Sequence, residues 1–298
     1  MGPQENTAFA QFLFEPEVAG NIAHIAQAWS DQTVTYRLSG GTRLAKPGLG
    51  GHLRRSFLGA LGRGASPAAQ NNKPCSWDPP CALDVFLREQ FRGARGDGLP
   101  KPYVIFTDVA GDDLLVSLRV FGVANDWFNV AAEAFLVGMR EILPCQRLFG
   151  CDLPPVAGRR VELVSGLCVP EGLSSVSVEF LTAVDVEGKG GPTELSLLSR
   201  LLRRVDGLAR WQGLALPPDH ARSLAGLIGE LDYQQSSLVR DAYSSPNRKS
   251  QQRRHKTMTG VLVATGPLGP ILPILAIGER CHIGRAAIEG LGRYRVVI

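Results

Sequence analysis

Between Gly260 and Ile298 three glycines fall close to two arginines: Gly284 before Arg285, and Gly290 and Gly292 before Arg293. Backbone N–H groups with no Cβ in the way, next to guanidinium groups, can hold an anion such as a phosphate. The same glycines also suit a tight turn before a terminal strand, Tyr294–Ile298, so the loop alone leaves both readings open. Just upstream, residues 248–256 read RKSQQRRHK. Arg248, Lys249, Arg253, Arg254 and Lys256 supply five formal positive charges there, with His255 among them and no acid. Such a run is either a solvated loop or an electrostatic contact for a polyanion. Five histidines, His24, His52, His220, His255 and His282, are the side chains whose proton exchange lies nearest neutrality. Cysteines recur with one spacing, Cys75 to Cys81 and Cys145 to Cys151, in Pro-rich segments. Five intervening residues depart from the short knuckle of zinc sites, so these thiols, with Cys168 and Cys281, read as free cysteines of a reducing compartment, with no metal.

The elements that must position these groups follow from periodicity. A chain of 298 residues with 44% apolar and 20% charged residues can bury one large core or two ordinary ones. The net charge of +4 is concentrated in the basic run. No apolar run reaches the ~18 residues of a membrane span, and the start MGPQENTAFAQF lacks the order of a secretory signal, which together predict a cytoplasmic protein. Residues 1–31 read as a cap, with Ile22, Ile25, Ala26 and Trp29 at helical spacing. TVTYRL from Thr33 alternates as a strand with Val34, Tyr36 and Leu38 on one face. After a glycine-rich break, Leu53, Phe57, Leu58 and Leu61 form a helical stripe backed by Arg54 and Arg55. Residues 62–101 form an insertion around a short helix, Leu83–Phe91. A hairpin (102–107 and 114–122), a helix capped at Asn125 or Asp126 and ending at Ile142, and a strand in RVELVSGLCV complete the half. Strand, helix, strand, strand, helix, strand is the ferredoxin-like order. A second copy begins with SVSVEFLTAVDV and a helix, Glu194–Arg210, with Leu195, Leu198, Leu202, Val205 and Leu208 inward and Arg200, Arg203 and Arg204 outward; a further helix covers Pro218–Leu231. The fold class is therefore α+β, two tandem ferredoxin-like (RRM-like) domains with an insertion in the first, divided as 1–168 and 169–298.

Leu275-Ala-Ile-Gly-Glu-Arg-Cys-His-Ile-Gly-Arg285 followed by Glu289-Gly-Leu-Gly-Arg-Tyr294 resembles the C-terminal pattern of the CRISPR repeat-processing endoribonucleases of the RAMP superfamily. Gly51-His-Leu-Arg54 resembles the start of that family's first helix, and Phe180-Leu-Thr182 the end of one of its strands, with Ala183 where proline is usual. Tyr243-Ser-Ser-Pro-Asn-Arg248 to Gln252 looks like a stretched form of its Tyr-Ser-x-Arg-Gln motif. The resemblance spans roughly residues 33–298. It implies a metal-independent endoribonuclease without cofactor, in which the ribose 2′-hydroxyl attacks the adjacent phosphate to leave a 2′,3′-cyclic phosphate. It also implies a site of His52, Tyr36 and Arg55. The RNA-binding residues it implies are Arg54, Arg248, Lys249, Arg253, Arg254, His255, Lys256, His282, Arg285, Gly290, Gly292 and Arg293. The partners implied are CRISPR repeat or guide RNA and other subunits of a CRISPR effector complex, with no membrane. The alternative is a RAMP subunit that holds guide RNA in an effector complex without cutting.

Overall fold

The computed structural model describes residues 8–16, 18–88, 98–141, 154–185, 193–246 and 252–298, and for 242–246 and 252–256 only the strand path. Two short N-terminal helices, α1 (Ala8–Phe14) and α2 (Ile22–Ala28), lead into β2 (Ser30–Leu38), with β1 (Val18–Ala19) between them. β2 is the centre of the first sheet. Its alternate residues Val34, Tyr36 and Leu38 are buried, as the period-2 pattern predicts. β3 (Tyr103–Ala110), β4 (Asp113–Phe121) and β5 (Val156–Ser165) join it in the order β3-β4-β2-β5, every neighbour antiparallel. α3 (Leu49–Arg63) and α6 (Phe128–Glu141) cover one face. Phe57 of α3 meets Tyr103, Phe86 and Phe135 edge-on at 5.6, 5.8 and 5.9 Å between ring centroids, the geometry that aromatic quadrupoles favour. The insertion holds α4 (Pro67–Gln70) and α5 (Ala82–Leu87), the latter shorter than its sequence expectation.

The second half repeats the connectivity. β6 (Ser175–Asp185), β8 (Ser237–Pro246), β9 (Gln252–Thr265) and β10 (Tyr294–Val297) order as β10-β6-β9-β8, again all antiparallel. In both sheets the first strand of the half lies between the third and the fourth. α7 (Glu194–Ala209) and α9 (Leu272–Cys281) back this sheet, α8 (Pro218–Glu230) lies on α7, and β7 (Leu214–Ala215) pairs with β1. α7 starts at a capping box between Thr193 and Ser196. Two side chains of α7 depart from expectation. Leu195 is exposed while Leu197 and Leu201 are buried, and Arg204 turns inward to donate to the Cys281 carbonyl at 2.9 Å. The apolar stripe is wider than the five positions chosen, because α7 is covered both by α8 and by α9. The hairpin β8–β9 and the helix α9 were not expected from the sequence, although TMTGVLVA in β9 does alternate. No helix among the described residues is long and apolar enough to cross a membrane.

The halves are joined through Asp31 of β2, which has no exposed surface. Arg280 of α9 donates to it with Nε at 3.0 Å and Nη2 at 2.7 Å, and the Trp29 indole donates at 2.9 Å. Arg119 of β4 lies 3.5 Å from the same carboxylate and donates to the Thr33 hydroxyl and the Arg280 carbonyl. Removing one member of such a buried set strands the others without a counter-charge, at a cost of roughly 3–5 kcal/mol. Asp31→Ala is therefore expected to lower the urea midpoint sharply, while the exposed-pair variant Asp219→Ala leaves it nearly unchanged; equal small shifts would contradict this account of the joint.

Candidate functional site

α3 begins without a side-chain cap: Gly48 at its N-cap is left-handed, and no acid stands in the first turn. Its first turns rest on the tail loop. A Cβ on Gly50 would lie 1.9 Å from the Glu289 carbonyl oxygen, so only glycine allows this approach. Arg54, half-buried, is 3.4 Å from the Glu289 carboxylate and 3.3 Å from the Tyr103 hydroxyl. One turn of helix carries His52 and Arg55 on the exposed side. The Arg55 guanidinium Nη2 lies 2.9 Å from His52 Nδ1. With the guanidinium as the only possible donor, Nδ1 is the acceptor and the neutral ring carries its proton on Nε2. Partial burial and the neighbouring Arg55 charge both hold the His52 pKa below 6.5.

Tyr36, expected beside this pair, is not brought to it. Its ring is buried under α6, 1% exposed, and its hydroxyl donates to the Ala132 carbonyl at 2.9 Å. The alternation that makes β2 a strand also turns this side chain towards the helices, and burial raises its pKa. Tyr36 is a core residue in this arrangement. His282 is likewise corrected as a surface contact, because it is fully buried against the edge of Phe106, 5.5 Å between centroids, with φ at +61°.

The glycine loop is not an open anion nest either. Gly290 N–H donates to the Ala287 carbonyl, Leu291 N–H to Ala286, Gly292 N–H to Ala183 and Arg293 N–H to the Thr182 hydroxyl. These amides are engaged with the irregular segment of β6 between Phe180 and Val184 and with the loop itself. A Cβ on Gly292 would fall 1.8 Å from the Ile283 carbonyl oxygen, at a φ of +67°. The glycines of the tail thus serve close packing, Gly284 on β6, Gly292 within the loop and Gly290 on β3 of the first sheet. Arg293 pairs with Asp108 and lies 4.9 Å above Phe106, whose ring also faces Arg119 at 4.9 Å. Arg285 is exposed.

Of the basic run, Arg253, Arg254, His255 and Lys256 lie on β9 in register with Ser245, Ser244, Tyr243 and Ala242 of β8. The pairing of β9 with β6 ends at Thr257, so this part of the hairpin extends past the sheet. Arg248 and Lys249 lie outside the described residues, as do Cys145 and Cys151. On the outer face of the first sheet Thr33, Thr35, Arg37, Ser117, Arg119 and Arg160 line an open groove of about 420 Å³, which sequence reasoning did not single out. The alternation of β2 that marked Val34 and Tyr36 as inward also puts Thr33, Thr35 and Arg37 on this opposite face.

The fold is that of solved Cas6 structures. Among solved structures the chain is similar to a Cas6 product complex, with TM-score 0.54, 14% identity and coverage of 90% of this chain and 100% of that one. It is also similar to Thermus thermophilus Cas6, with TM-score 0.51, 13% identity and coverage of 90% and 99%. A Cas6 substrate mimic complex gives 0.50 and 12%, again with coverage of 90% and 99%. No family model matches the chain, and no curated relative does.

His282 gives the fold a pH dependence. Burial, then the charges of Arg119, Arg293 and Arg204, hold its pKa well below 6.5. The unfolded chain, with an ordinary imidazole, takes up a proton below pH 6.5 that the folded protein refuses. This contribution to stability is complete above that pH and is lost as pH falls towards the depressed folded value. Urea midpoints measured downward from neutrality should fall below pH 6.5, and His282→Phe should flatten that limb. An unchanged slope in the variant would show that other groups carry it.

Proposed function

We propose that this chain is an endoribonuclease that cleaves CRISPR repeat RNA in precursor transcripts and needs no metal ion. The observation that carries the reading is the His52–Arg55 pair at the exposed start of α3, seated on the tail loop, in a chain whose fold matches Cas6 over 90% of its length. In the reaction the ribose 2′-hydroxyl loses its proton to His52, its oxygen attacks the adjacent phosphorus, the bond from phosphorus to the 5′-oxygen breaks, and that oxygen takes up a proton from water. The products are a 2′,3′-cyclic phosphate and a 5′-hydroxyl end. Neutral His52 is the base. Its lone pair at Nδ1 is released when Arg55 turns from the ring to the phosphate, where the guanidinium offsets the charge of the phosphorane. Arg54, bonded to Glu289 and Tyr103, holds α3 on the loop.

Two tandem ferredoxin-like RAMP domains, 1–168 and 169–298, are the reading that the shared strand order supports. RNA contacts are assigned to the extended hairpin, with Arg253, Arg254, His255 and Lys256 on β9, to Arg285 and, from the sequence, to Arg248 and Lys249. Cations along a hairpin and exposed arginines grip a phosphate backbone without requiring duplex grooves. The core position of Tyr36 favours a second reading, a non-cleaving subunit that holds guide RNA beside other effector subunits, because it leaves His52 without the tyrosine expected to share proton transfer.

Cleavage of the cognate repeat in EDTA, with a cyclic-phosphate product, is the expected result; binding without product selects the second reading. His52→Ala should lose about 10²–10⁴-fold in cleavage rate and keep its affinity in a gel shift. A variant cutting at the wild-type rate would remove His52 from the mechanism and leave the RNA-processing reading standing. Because a base must be unprotonated, the acid limb of the rate profile should lie below pH 6.5. Arg55→Gln should move that limb upward, since a repelling cation is gone, while slowing cleavage.

A further inference from the structure

Far from His52 in sequence, the insertion brings two thiols and one hydroxyl together where residues 75–81 meet α4 and α5. Cys75 and Cys81 are 5% and 7% exposed, and the residues between them, from Ser76 to Asp78, are exposed. The hydrogen bonds have a direction. The Cys81 backbone N–H donates to Cys75 Sγ at 3.3 Å, and the Cys81 thiol lies 3.9 Å from the Ser66 hydroxyl oxygen as donor. Ser66 Oγ also accepts from the Ala69 N–H as the cap of α4, which leaves its own proton to give. A backbone donor thus faces the Cys75 sulfur, while the Cys81 proton is directed at Ser66. Buried structural cysteines normally lack such a set. Burial raises the Cys75 pKa, and hydrogen bonding from Ser66 and from the Cys81 and Trp77 amides outweighs it, leaving the thiol below its ordinary 9.0.

We infer that Cys75 and Cys81 form a redox-responsive dithiol, with Cys75 the sulfur that meets peroxide and Cys81 the sulfur that resolves it. The Cys75 thiolate attacks one oxygen of hydrogen peroxide, the O–O bond breaks, and the departing hydroxide takes up a proton to leave as water. Cys75 is then a sulfenic acid. The Cys81 sulfur attacks it, the S–O bond breaks, and the hydroxide leaves with the Cys81 proton as a second water. Two thiols have lost two electrons in total and one peroxide has gained them. A dithiol reductant reverses the step by exchange. Closure ties the segment before α5 to the N-cap residue of α5, whose Phe86 packs on Phe57 of α3. The inference does not depend on RNA cleavage.

The test uses the full reduced chain, exposed to hydrogen peroxide, then alkylated, digested and mapped by mass spectrometry. A Cys75–Cys81 linked peptide that disappears with dithiothreitol is expected. Cys81→Ser should stop at a Cys75 sulfenic acid that dimedone captures, and Cys75→Ser should leave Cys81 a thiol; circular dichroism confirms that both variants fold. Alkylation of Cys75 in the untreated chain should follow a midpoint below pH 9.0. The proposal is overturned if peroxide sufficient to oxidise exposed Cys168 leaves both residues as thiols. It is equally overturned if either one pairs with a different cysteine.

Discussion

A single buried carboxylate organises the molecule. Asp31 lies on the central strand of the first sheet and receives the forked guanidinium of Arg280 from the last helix of the second half, with Trp29 and Arg119 completing its shell. A charge without exposed surface is tolerable only when fully partnered. The fork has two parallel N–H···O bonds, which fix orientation as well as distance. Through it α9 is held against β2, and the loop after α9 is brought to the start of α3. Burial and the like charge of Arg280, opposed by Asp31, push the Arg119 pKa down to about 10, far enough above neutrality to keep the cluster charged.

The tail loop completes that joint. Its amides close on β6 and on the loop itself, and its glycines allow backbone to approach backbone where any Cβ would collide. Glu289 is the point where α3 lands, by close contact with Gly50 and by the pair with Arg54. The loop thus reaches the exposed His52–Arg55 pair indirectly, by seating the helix that carries it. Cations that do face solvent are found elsewhere, on Arg55 and Arg285, while Arg293 is drawn into the joint by Asp108 and Phe106.

Much of the architecture was legible before any coordinate. Alternation gave β2, apolar runs gave β3 and β4, and β6 was read from its run of β-formers, with ends within three residues of those observed, while helical spacing gave α3, α6, α7 and α8, because each of these helices buries one face. The misses have physical causes. α9 begins at Leu272-Pro273 and is apolar nearly all round, so it has no amphipathic period to read. Part of β9 lies in the basic run, whose charge suggested a loop although the residues after it alternate. Leu195 and Arg204 were exchanged between inside and outside because the number of elements covering α7 is a tertiary quantity.

Residue types and their order determined most of the strand and helix succession, the glycine tail, the basic run and the placing of His52 one helical turn before Arg55, since these depend on local period and short-range spacing. Only the tertiary structure decided that Tyr36 and His282 are interior, that the tail amides are already bonded, and that the Cys81 thiol meets Ser66. Each of those outcomes depends on what a distant segment contributes: Ala132 for Tyr36, Phe106 for His282, the irregular β6 segment for the tail, and Ser66 for the thiol pair. A side chain's chemistry is set by its neighbours in space, and spacing along the chain does not specify them.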